Sequence, residues 1–238
     1  LTFNQKLNQN LASVTDLSLE TIAAQLDSQN SRDRMLALVS LRELPPENAT
    51  PLLKKALEDP NFQVRSMAVL SIGRQPTSES YPILRQVLET DADYFMRSAA
   101  AAALGYLEDP RGLDPLVRAF YEDTSWLVRF SAVVSLGNLK DLRAYMTLID
   151  ALKSQEVVIQ QAAIAALGEI GAIQAVDTLL QFAQSEDWLV RQWLAEALGN
   201  FPTLKSVSAL KYLEKDSHPQ VAEAARLALQ RLSEVQGF

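Results

Sequence analysis

The chain has 238 residues, 48% of them apolar, with a formal net charge of −7, enough apolar material for one domain or a short repeat array. The acidic balance, with no run of Lys or Arg, argues against nucleic acid as a partner, and no apolar run reaches membrane-span length. Cysteine is absent and His218 is the one histidine, which excludes disulfides and a thiol nucleophile and leaves a metal centre or a histidine triad almost without donors.

Residues 1–18 are polar with scattered Leu and Phe3, and read as a capping helix or a flexible arm. From 19 to 235 the sequence repeats. Aligning NFQVRSMAVLSIG, YFMRSAAAAALG, WLVRFSAVVSLG, VVIQQAAIAALG and WLVRQWLAEALG on a common centre sets anchors at Arg34, Arg65, Arg97, Arg129, Gln160, Arg191 and Ala222, 31 or 32 residues apart. Each unit reads as a short amphipathic first helix (PLLKKAL, YPILRQVL, DPLVRAFY, MTLIDAL, AVDTLLQFA, VSALKYL) and a longer second helix around the anchor.

The columns around the anchor carry the physical argument. Positions −1 (Val64, Met96, Val128, Ile159, Val190, Val221), +3 (mostly Ala) and +7 (Leu or Ile) lie on one helical face, the predicted core face. Position −6 holds Ser28, Asp59, Asp91, Asp123, Ser154, Ser185 and Asp216, which predicts the N-cap of each second helix, with Pro60 as a first helical residue. Position +8 holds Gly73, Gly105, Gly137, Gly168 and Gly199, predicted helix stops, with Arg42 and Gln230 replacing glycine in the terminal units. Asp and Arg recurring six residues apart suit an ion-pair ladder between adjacent units, and their joint absence in the fifth unit, as Ser154 and Gln160, fits a pair. One unit buries too little to offset the roughly 1–2 kcal/mol per residue of backbone ordering. Stacked units share their faces, and the expected fold class is all-α, an α-solenoid.

The pattern D-x-x-W-L-V-R-x-x-A-x-x-x-L-G is fullest at residues 123–137, and residues 185–199 carry it with Ser185 and Leu194 as departures. It resembles the signature of the short HEAT repeats of the PBS-lyase (EZ-HEAT) family. YEDTSWLVRFSAVVSLGNLKD and IQQAAIAALGEIGA are similar to the cyanobacterial bilin-lyase-related group. The resemblance implies about seven HEAT-like helix pairs. It implies phycobiliproteins (phycocyanin, allophycocyanin) as partners and phycocyanobilin as ligand or client-borne substrate, with no intrinsic cofactor. It implies a cytoplasmic place at the phycobilisome and a role in detaching bilin from its client cysteine during phycobilisome degradation. A lyase subunit attaching the pigment and a non-enzymatic adaptor are the other roles it allows. Lacking cysteine, the chain cannot carry the pigment on its own sulfur.

Candidate binding residues form an aromatic column at −3: Phe62, Tyr94, Trp126 and Trp188, with Val157 between the tryptophans. The column reads either as lids packed over the turns or as a partly exposed binding stripe along one edge. Phe130, one turn after Trp126, and Trp193, in a column of otherwise non-aromatic residues, are the off-pattern candidates. Glu196, mid-helix among apolar equivalents Val134 and Ala165, is the candidate catalytic acid, weighed against a plain solvated glutamate. His218-Pro219 reads as a turn.

Overall fold

A computed structural model of the chain describes residues 18–236; residues 1–17, most of the segment expected to be a cap or arm, lie outside the described residues. The described residues form fourteen α-helices and no strand. They divide into two compact units, up to Ser80 and from Tyr81.

The first unit holds α1 (Leu19–Gln25), α2 (Ser31–Ser40), α3 (Pro46–Ala56) and α4 (Phe62–Arg74). The second holds α5 (Ser80–Thr90), α6 (Tyr94–Leu107), α7 (Leu113–Glu122), α8 (Trp126–Asn138), α9 (Tyr145–Ala151), α10 (Val157–Glu169), α11 (Val176–Leu179), α12 (Trp188–Leu198), α13 (Leu204–Leu213) and α14 (Pro219–Gln236). Long and short helices alternate. In the second unit the long ones form a continuous layer, α6 on α8, α8 on α10, α10 on α12 and α12 on α14, and short ones pack against it. This is the all-α helix-pair stacking of a solenoid.

The core face is the expected one. Val64, Val128, Ile159 and Val221 at −1, every +3 residue, and Leu41, Leu104, Leu136, Leu167 and Leu198 at +7 are fully buried. Each large apolar side chain so buried contributes roughly 1.5–3 kcal/mol.

Two expectations fail, each for a local reason. The N-cap of the long helices stands at −4, not −6: Asn30, Asn61 and Asp93 accept the N–H two residues on, and Asp187 accepts that of Leu189. Pro60 therefore lies before α4, not in it. The −6 residue instead folds the chain into the cap: Asp59, Asp91, Asp123 and Asp216 each accept the backbone N–H of the −4 residue at 2.8 Å.

The +8 glycines stand within two residues of the helix ends but lack the positive φ of a glycine stop. Gly105, Gly137 and Gly168 lie within helices and Gly199 caps α12 in right-handed geometry. They are points of contact between layers. A Cβ on Gly137 would stand 2.8 Å from Ala166 Cβ, one on Gly168 3.0 Å from Ala197 Cα, and one on Gly199 2.8 Å from Ala228 Cβ. The turn itself lies at +11, where Glu108, Lys140 and Gly171 have positive φ and the first, second and sixth units place Pro45, Pro76 and Pro202.

Candidate functional site

The anchor arginines belong to a structural seam. Arg97 Nε and Nη2 reach both oxygens of Asp123 at 2.7 and 3.1 Å, while Nη1 holds the carbonyl of Asp91 at 2.9 Å. Arg34 does the same with Asp59 and the Ser28 carbonyl, and Arg191 with Asp216 and the Ser185 carbonyl. Each of these three arginines thus ties its own turn to the cap of the next pair through a bidentate link, whereas Arg65 holds the Asp59 carbonyl of its own turn at 2.8 Å. At Asp123, burial pushes the carboxyl up, but the Arg97 bond, the Ser125 N–H and the charges of Arg97 and Arg129 outweigh it and hold the carboxyl below its usual range. At Asp216 the Arg191 bond is the largest influence and the direction is the same.

The partner lost with Gln160 is Ser185 of the following unit, and not Ser154 as the sequence pattern suggested. Gln160 keeps only the inner link, from its side-chain amide to the Ser154 carbonyl. Arg129, facing Ser154 where an aspartate would stand, takes Glu156 at 2.6 Å. The Ser154 hydroxyl, then the backbone N–H of Glu156 itself, and Arg129 as well, keep that glutamate below its usual range.

The four −3 aromatics open α4, α6, α8 and α12 and are 36–51% exposed. They do not share one environment. Phe62 belongs to the first unit. Tyr94 stacks on Phe95 at 4.3 Å. Trp188 stacks on His218, 4.0 Å apart and 13° from parallel, and so packs the junction of α12 with the turn before α14. Trp126 lines a cavity.

That cavity is a mostly apolar trough of about 510 Å³ over the long-helix layer. Trp126, Phe130 and Val134 of α8 form one wall, Leu189 and Trp193 of α12 the other, and Ala162, Ala165 and Ala166 of α10 the floor. The walls follow from the packing of +1 on +2 between neighbours. Between α6 and α8 those positions are Ser98 and Ser131, whose hydroxyls meet at 2.9 Å and close the layer. In the next two steps the +1 residue of α8 is Phe130 and the +2 residue of α12 is Trp193, both leaning toward α10, which offers Gln161 and Ala162. A second hollow of about 460 Å³ continues past Trp193, lined by Glu196, Asn200, Leu227, Arg231 and Glu234, and it shares Ala165, Glu169 and Trp193 with the first. Glu196 lies here and accepts from Gln192 Nε2 at 2.9 Å. Among the described residues no group of histidines and carboxylates could hold a metal ion, and no helix is long and apolar enough to cross a membrane.

The profile for HEAT repeats matches residues 19–105, 86–157 and 145–230. The chain belongs to the HEAT-repeat family. Its repeats superpose on the complex of CpcE and CpcF of phycocyanin lyase from Nostoc sp. PCC7120 with a TM-score of 0.59 and 20% identity, over 91% of this chain and 95% of that one. They match YibA from Escherichia coli with a TM-score of 0.58 and 16% identity, over 97% and 98%. An engineered protein gives 0.56 and 22%, over 90% of this chain and 68% of its own. At these identities the likeness is one of fold. No curated protein matches the sequence.

Proposed function

We propose that this HEAT-repeat chain binds phycobiliproteins through the trough between α8 and α12 and promotes detachment of phycocyanobilin from its client cysteine, as a phycobilisome disassembly factor of the cytoplasm. The observation that carries the reading is the convergence of Trp126, Phe130 and Trp193 on one alanine-floored trough, since clustered aromatics at a concave surface are the usual anchors of a protein interface. The fold shared with the phycocyanin lyase complex supports the choice of client. The strings around Trp126 and Gln160, similar to the phycobilisome degradation protein NblB, support detachment over attachment.

Detachment breaks the bilin–sulfur bond, returns a proton to the client thiolate and removes one from the neighbouring bilin carbon, so it calls for a base and an acid near the client. In this reading Glu196, in the hollow that continues past Trp193, is the candidate carboxylate to take that proton. The hydrogen bond it accepts from Gln192 favours a second reading, in which the chain is an adaptor that only grips its client. Incubation of the purified chain with holo-phycocyanin, followed by visible absorbance and co-elution, tests both. Loss of bilin absorbance that Glu196→Gln abolishes supports intrinsic detachment. Co-elution without spectral change selects the adaptor, and no co-elution sinks the proposal.

A further inference from the structure

We infer that the occupant of the trough is an amphipathic helix of the partner, carrying Lys or Arg at the end that lies past Trp193, and not an anionic pigment; this rests on the reading of the trough as the client site in its adaptor form, because a cation held at Glu196 leaves that carboxylate no bilin proton to take. The first argument is width. Packed helix axes lie about 8–10 Å apart, so α8 and α12, each seated on α10, stand about 16–20 Å apart. A helix about 10–12 Å across fits over α10 between them. Alanines at 162, 165 and 166 leave room for its apolar side chains, and Phe130 and Trp193 flank it.

The second argument is charge. The first hollow is apolar apart from Asn138, Gln161 and Glu169, and no cation lines it. Past Trp193 stand Glu169, Glu196 and Glu234 against the single Arg231. Glu196 and Glu234 accept from the neutral amides of Gln192 and Gln230, and the three glutamates outnumber Arg231, which leaves the hollow net negative. A ligand bearing carboxylates meets repulsion there, whereas a partner Lys or Arg finds carboxylates beside an indole ring.

The test uses the full chain and two labelled helical peptides of about 16 residues, ~24 Å long. Both carry the same Leu/Ala stripe; one ends in a lysine pair and its twin in a glutamate pair. Fluorescence anisotropy is expected to give about fivefold or tighter binding of the lysine peptide, weakening as salt rises. The preference is expected to vanish in Glu169→Gln with Glu196→Gln, and binding itself in Trp193→Ala. Equal binding of the twins, preference for the glutamate peptide, or no binding of either overturns the inference. Binding of free phycocyanobilin to the parent and to Trp193→Ala is also titrated directly by its visible absorbance. Pigment that binds in a Trp193-dependent way while the peptides do not bind overturns the helix but leaves the bilin-related function standing. Lysine-peptide binding without co-elution of phycocyanin keeps the helix and removes the client.

Discussion

Single residues decide how closely the long helices approach. The Cβ missing from Gly137 would fall 2.8 Å from the Ala166 side chain and 2.9 Å from its Cα, and backbone cannot step aside as a side-chain tip can. Gly137→Ala gains up to ~1 kcal/mol of helix propensity but incurs an overpacking cost of about 1–3 kcal/mol. The contact wins, and we expect net destabilisation in urea melts. Gly171 is the contrast, with φ 67° and nothing within 4 Å of its would-be Cβ. Gly171→Asn is therefore expected to be nearly neutral, because Asn tolerates the left-handed region, whereas Gly137→Asn is worse than Gly137→Ala. A Gly137→Ala as stable as the parent would sink this account. The glycine column was plain in the sequence, but its role was not. Glycine at a helix end serves either turn geometry or close approach, and only the position of Ala166 on the neighbouring helix separates the two.

At the scale of the element, the caps and the seam share one stretch of three residues, −6 to −4. Positions −6 and −4 both hold cap-type side chains, such as Asp59 with Asn61 and Asp91 with Asp93, so local propensity could not tell which begins the helix. The inward columns were legible because burial repeats with the helical period. The partner of each arginine was half legible: the ladder follows from recurrence, but its register, Arg of one unit to Asp of the next, comes from stacking. The Arg97–Asp123 pair is mostly buried, at 18% and 9% side-chain exposure, so Asp123→Ala is expected to cost about 1–3 kcal/mol.

The seam also sets an acid limit. Asp123 and Asp216 sit below their ordinary 3.8 in the folded chain, so their stabilisation is complete above that value and is lost as pH falls through the lower folded value. Unfolding free energy should drop below about pH 4, and less steeply in Asp216→Asn; an unchanged slope would refute the seam's role. Installing the missing rung with Gln160→Arg and Ser185→Asp together should show a favourable coupling of about 0.5–1 kcal/mol in a double-mutant cycle, where additive effects would mean that the fifth and sixth turns are not in register.

Across the second unit, packing and recognition draw on the same residue type at different offsets. Trp126 and Trp188 hold the same column position, yet Trp188 is spent on His218 and Trp126 on the trough. Walls that face each other across α10 must leave α8 and α12 in opposite senses, so Phe130 and Trp193 occupy different columns, one helical step or 100° apart. Reading columns separately could flag them only as exceptions. The consequence is a crossed prediction. Trp126→Ala with Phe130→Ala removes one wall of the trough from a surface where Trp126 is 51% exposed; phycocyanin binding should weaken at least about tenfold, as expected for interface anchors, with far-UV circular dichroism and melting temperature little changed. Trp188→Ala breaks the stack that joins α12 to the turn before α14; it should lower the melting temperature by a few degrees, roughly 1 kcal/mol, and leave phycocyanin binding near that of the parent. Binding titrations and thermal melts on the two variants decide the matter together. If both variants lose stability and neither loses binding, the trough is core and the partner must be sought elsewhere; if Trp188→Ala alone weakens binding, the exposed ends of the long helices, and not the trough, carry recognition.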